Sequence, residues 1–287
     1  NGGPFQGDFF DPKPAINRFA GQRPAEVQLR TENVTGGLLV VPFGFYPRGD
    51  SGLEVSNLLP EFGQMIDDVC VLRGCYTDNP NHGPALFQMN SGFILAGRPS
   101  MGSWVTYGLG TESQSLPAFC VMYDTLGRGI PKGHSLNWGA GFLPTVYQGT
   151  AFKPQGEPID NLSRSDQMTD ETQRGQLDLL KKLNQHYLRE QPHETELAAR
   201  IESFELAYRM QSEVPTAVDI KSEDRRTQDM YGLNNQTTAE FGRNCLIARR
   251  LVERGVRFVQ LYSGGGHLEE TWDAHAGIES NHGKHAT

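Results

Sequence analysis

The sequence predicts an α/β fold built on a mainly parallel sheet, and three stretches carry that prediction. From about Thr238 to Arg254, Phe241, Cys245, Leu246, Leu251 and Val252 recur at helical spacing. Gly255 then offers a left-handed stop, and Val256 to Tyr262 alternates as a strand. Residues 53–75 repeat the helix-then-strand order, and Ala118 to Met122 is a further apolar run of strand length. Helices alternating with strands are the mark of such a sheet.

The elements follow in order. Residues 1–13 form an opening loop with three glycines and two prolines. Ser56 is expected to cap a helix carrying Leu58, Leu59, Phe62, Met65 and Ile66, ended by Asp67 and Asp68. Val69 to Leu72 then reads as a buried strand, with Cys70 a buried thiol like Cys120. Past the polar loop Thr77 to His82, a helix is expected from Pro84 to Asn90, because proline suits a first turn whose N–H groups lack helical partners. The turn Gly97 to Ser100 leads to a short helix around Trp104 to Tyr107. Residues 124–168 show no sustained period and read as a long loop. Between Asp170 and about 211 two amphipathic helices are expected, the second starting at Pro192, as a hairpin outside the sheet.

Composition narrows the function. Acidic residues outnumber basic ones, 34 to 26, for a formal charge of −8. That excludes a general affinity for nucleic acid, which needs clustered cations to neutralise phosphates. The basic run Arg249 to Arg254 reads as an exposed helix face, and Glu223 to Arg226 as solvated surface. No apolar run approaches the roughly 20 residues of a membrane span. The 33 glycines point to ordered turns and a site built on loops. There is no CxxC, GxSxG, Walker loop or HExxH, which argues against the enzymes those motifs serve. The chain opens at Asn1 in a glycine turn and stops at Thr287 without an apolar closing element, so it reads as a piece of a longer protein.

Three groups could carry chemistry. His267, His275, His282 and His285 fall in the last 21 residues, just past the final strand, where α/β sheets place ligands. Asp273 and His275, two apart on extended backbone, could face one ion, and an oxygen-plus-nitrogen set suits Zn or Mn better than Ca. The bland reading of this stretch is a polar, solvated tail. Asn81 and His82 open a helix, where backbone N–H groups favour a phosphate or sulfate. There His82 could be nucleophile, proton donor or metal ligand, or simply a capping or surface histidine. Asn1, Gln6 and Asp8 of the opening turn could offer oxygens to a metal.

Seven strings occur in a telling order: NGGPFQGDFFDPKP at 1–14, LPEFGQMIDDVCVLRGCYTDNPNHGPALFQMNSG at 59–92, GRPSMGSWVTYGLG at 97–110, NWGAGFLPTVYQGT at 137–150, ESFELAYRMQ at 202–211, NCLIARRLVERGVRFVQLY at 244–262 and WDAH at 272–275. Together they resemble domain-of-unknown-function family 1501, which is similar to the alkaline phosphatase and sulfatase superfamily. The resemblance implies one partial domain over 1–287: a three-layer α/β/α sandwich, incomplete at both termini, with the hairpin at about 170–211 as an insertion. It also implies a metal-dependent hydrolase of phosphate or sulfate monoesters acting on a small-molecule or saccharide ester. In that scheme Asp8, Asp273, His275 and His267 hold divalent ions (Zn, Mn or Ca), while Asn1 and Asn81 contact substrate. Residues 82–92 match the length of the sulfatase nucleophile segment, with Pro84 third and Gly92 last, and His82 stands where Cys, Ser or Thr attacks. An extracytoplasmic, periplasmic home is implied as well. The alternative is a non-catalytic binding or scaffold protein on a degenerate hydrolase fold.

Overall fold

A computed structural model describes residues 3–23, 36–123, 130–153, 156–190, 195–264, 271–274 and 277–286. In chain order the helices are α1 (Pro14–Arg18), α2 (His82–Ser91), α3 (Met101–Leu109), α4 (Asp170–Glu190), α5 (Thr195–Val218), α6 (Arg225–Met230), α7 (Ala239–Glu253) and α8 (Ile278–His285). The strands are β1 (Phe45–Arg48), β2 (Leu53–Ser56), β3 (Phe119–Tyr123), β4 (Thr150–Phe152) and β5 (Phe258–Tyr262). The chain forms two compact units, one of Asn1–Ile94, Arg128–Lys132 and Gly264–Thr287, the other of Leu95–Gly127 and Gly133–Ser263. None of the described helices is long and apolar enough to cross a membrane.

The second unit holds a parallel sheet in the order β4-β3-β5, with Cys120 opposite both Thr150 and Val259. Side chains alternate across a strand, so β3 feeds two cores. Cys120 and Met122 face Met210, Val214 and Ala217 of α5 and Leu246, Ile247 and Leu251 of α7. Phe119 and Val121 face the other way, toward Trp138 and Tyr262. On that side α3 comes so close that a Cβ at Gly102 would lie 2.5 Å from the Phe119 ring. The α7–β5 joint is as the sequence predicts: Gly255 takes φ +85° and the strand follows. The expected loop over 124–168 instead contains β4, three residues too short to show a period, and 3-10 turns at His134–Trp138 and Thr145–Tyr147.

Charges organise the helices more than the sequence suggested. Arg174 of α4 forks onto Glu205 of α5, at 2.9 and 2.7 Å, and stacks on Tyr208. The hairpin's apolar stripe is less covered than expected, since Leu180, Leu183 and Tyr187 are exposed. The second helix begins at Thr195, and Pro192 lies outside the described residues. Arg250, read as surface, is buried: its Nε and Nη2 donate to the carbonyls of Ala217 and Thr216 at the end of α5, and its Nη1 meets Glu223. Glu223 also takes Arg249, so it is a bridge rather than solvated surface. Helix carbonyls left without N–H partners are the reason a guanidinium is held there.

In the first unit β1 and β2 pair antiparallel, and Asp67 accepts from the N–H groups of Asp50 and Ser51 at their turn. The helix expected from Ser56 does not form. Ser56 ends β2 and donates its N–H to Phe9, Pro60 supplies no N–H, and only a 3-10 helix at Phe62–Asp68 follows. Nor is Val69 to Leu72 a strand. Val69 is extended, but no described strand pairs with it, and Leu72 and Cys70 are exposed. An apolar run becomes a buried strand only beside a neighbour that satisfies its backbone.

Candidate functional site

The first unit buries few large apolar side chains but several polar ones, and these cluster. The 3-10 turn Gln6–Asp8 tucks Asp8 inward, 2% exposed. Opposite it stands His282, also 2% exposed, carried by α8. The residue before it, Asn281, anchors that helix by donating from Nδ2 to the Thr271 carbonyl at 2.9 Å. Asp8 Oδ2 and His282 Nδ1 come within 3.0 Å, yet among the described residues neither atom makes a directed hydrogen bond. Around the imidazole lie the rings of Phe9 (5.6 Å), Trp272 (5.9 Å) and Phe43 (6.3 Å, stacked). Burial in this box pushes the Asp8 carboxyl above its ordinary range, and the neighbouring His282 only partly offsets it.

A second Asp–His pair sits in the same unit. His82 is the first residue of α2, and its Nε2 lies 2.9 Å from Oδ2 of Asp273, 191 positions further along. A carboxylate only accepts, so chemistry puts the proton on Nε2 and leaves the Nδ1 lone pair free. Nδ1 itself makes no hydrogen bond among the described residues, and the side chain is 29% exposed. Asp273 is nearly buried, and its own N–H donates to Thr271 Oγ1.

The start of α2 offers less to an anion than the sequence suggests. Asn81 caps the helix, its Oδ1 accepting from Gly83 N–H at 3.3 Å and its carbonyl from Ala85 N–H at 3.0 Å. Pro84 has no N–H. Among the described residues, only the N–H of His82 is left uncommitted in that turn. The cap role also occupies the Asn81 oxygen that the resemblance assigns to substrate.

Of the residues expected in a site, the structure joins His82 to Asp273 and pairs Asp8 with a histidine outside that set. Asn1, His267 and His275 lie outside the described residues. The two pairs are linked by rings: Phe9, next to Asp8, meets Trp272, next to Asp273, edge-on at 5.6 Å and 69°. His282, Phe9 and Trp272 are site residues that sequence reasoning misses. The signal for His282 is the histidine-rich ending, but a solvated tail fits that composition equally well until α8 is seen to bury it. Among the described residues no three or more His, Cys, Asp or Glu side chains are grouped so as to hold an ion.

Comparisons with curated proteins and with solved structures gave no match. The family described as "Protein of unknown function (DUF1501)" matches residues 1–287, so the chain belongs to that family.

Proposed function

We propose that the protein is a hydrolase of phosphate or sulfate monoesters, on a fold of the three-layer alkaline phosphatase type, with His82 at the transferred group. The observation that carries this reading is the 2.9 Å His82–Asp273 contact, which brings together two residues far apart in sequence at the start of a helix. A carboxylate behind an imidazole fixes the ring's tautomer and steadies the positive charge that develops on it during group transfer. Helices on both faces of a parallel sheet support the fold assignment.

A divalent ion belongs to this reading, and Asp8 and His282 offer two donors toward one. Both are buried, neither reactive atom has a hydrogen-bond partner among the described residues, and an oxygen with an imidazole nitrogen suits Zn or Mn. Asp8 and His282 would hold the ion, which would supply charge neutralisation at the ester's non-bridging oxygens. The surrounding rings exclude water, which strengthens any charge interaction there. Asp273, expected as a metal ligand, meets His82 through Oδ2.

The test is release of nitrophenolate from 4-nitrophenyl phosphate and 4-nitrophenyl sulfate, with Zn, Mn or Ca supplied in turn. Turnover of one ester is expected. His82→Ala is expected to abolish it, with circular dichroism unchanged. No hydrolysis of either ester with any ion would leave the binding or scaffold reading in its place.

A further inference from the structure

Resting on that hydrolase reading, we propose that the substrate is a phosphate monoester and that His82 attacks it through Nδ1, forming a phosphohistidine, with Asp273 as the positioning residue. The geometry distinguishes the two ring nitrogens. Nε2 is committed to Asp273 at 2.9 Å, whereas Nδ1 has no partner among the described residues on a side chain that reaches solvent. A nitrogen that already carries a proton and donates it cannot be the nucleophile. The other one can.

No rival nucleophile is available on this element. Between Thr77 and Ser91 there is no hydroxyl or thiol side chain. The Thr77 hydroxyl donates to the Asn79 carbonyl at 3.0 Å, and Ser91, at the far end of α2, donates to the Phe87 carbonyl at 2.8 Å. His82 therefore has no neighbour on α2 to activate as a base, and among the described residues the helix start retains one uncommitted N–H.

Atoms and charge balance in both halves of the reaction. The Nδ1 lone pair forms the N–P bond, the ester P–O bond breaks, and the departing alkoxide takes a proton from solvent. The ring becomes a cation, neutralised across Nε2–H by the nearly buried carboxylate of Asp273. Water then attacks phosphorus and gives one proton back to solvent, the N–P bond breaks, and Nδ1 regains its lone pair. Nε2 keeps its proton throughout. Phosphoryl transfer asks the protein mainly for positioning and charge stabilisation, which this pair supplies.

The two nitrogens give chemically distinct phosphohistidines, which makes the proposal testable. The whole chain, with the ion that supports turnover, is mixed with 4-nitrophenyl phosphate, quenched in base and digested. The His82 peptide is then examined by mass spectrometry and phosphorus NMR. One phosphoryl group on Nδ1 is the expected result. Asp273→Asn, checked by circular dichroism, is expected to lose the isomer purity and spread label over both nitrogens, which a merely structural carboxylate would not cause. Turnover without label, or label on Nε2, overturns this proposal and leaves the hydrolase reading standing. Label that stays wholly on Nδ1 in Asp273→Asn removes the positioning role. Neither turnover nor label overturns both.

Discussion

Asp8 is a buried carboxylate beside His282, and its Oδ2 makes no hydrogen bond among the described residues. Its raised pKa says that the surroundings, burial first, disfavour the charged form. A neutral amide of the same shape removes that penalty. Asp8→Asn is expected to stabilise the ion-free protein by about 1 kcal/mol, the size of a typical relief at a functional site. The measurement is the thermal midpoint in a chelator, compared with the midpoint under Zn or Mn. The variant should melt higher than the parent without ion and gain nothing from ion. A variant that melts lower without ion would mean that the His282 attraction outweighs the burial.

At the scale of elements, charge bridges fasten what apolar packing leaves loose. Arg250 satisfies two carbonyls at the end of α5 and meets Glu223 at once. Glu223 keeps Arg249, but the two carbonyls lose their donor, and an unsatisfied buried group costs about 1–3 kcal/mol, so Arg250→Met is expected to lower stability by at least that amount in urea titrations. Glu223 and Glu205 are both held below the ordinary carboxylate range, by hydrogen bonds from Arg249 and Arg250 in one case and Arg174 in the other. A depressed carboxylate contributes its full stability above the unfolded value, 4.5, and loses it as pH falls through the folded value. Urea midpoints should therefore drop on acidification below about 4.5, and Arg250→Met should flatten that drop.

These elements also show what a sequence can and cannot display. The α7–β5 unit was readable because fifteen helical residues, a glycine stop and an alternating strand agree with one another. Strand β4 was not, for three residues carry no period. The failed strand at Val69 to Leu72 had the right composition but lacks a pairing partner, and pairing is non-local. The same is true of the site. His82, Asp8 and Asp273 were visible as residue types in suggestive places, whereas the pairing of Asp8 with His282 depends on α8 turning a polar ending inward.

Across the whole molecule the two units rest on different forces. Among the described residues, the buried large or apolar side chains of the first unit are Phe9, Val55 and Ile66, whereas the second buries eighteen. The first instead buries Asp8, Ser56, Asn90, Thr271, Asp273, Asn281 and His282. Burial of apolar area is the main stabilising force, at about 25 cal/mol per Å², so the first unit has less of it to draw on. Hydrogen exchange is expected to be faster in α2 and α8 than in β3, β5 and α7, and to slow in α8 when Zn or Mn is added. Equal protection in both sets would contradict this.

The edge-on contact between Phe9 and Trp272 has one more consequence. The indole also lies 5.9 Å from the His282 ring and 5.3 Å from His285, so it sits against the imidazole proposed to hold the ion. Imidazolium quenches indole emission, and a metal-bound imidazole carries no such proton. The chain thus has a built-in optical reporter: in a Trp104→Phe, Trp138→Phe background, titration with Zn or Mn should brighten or shift the emission of Trp272 without any added dye.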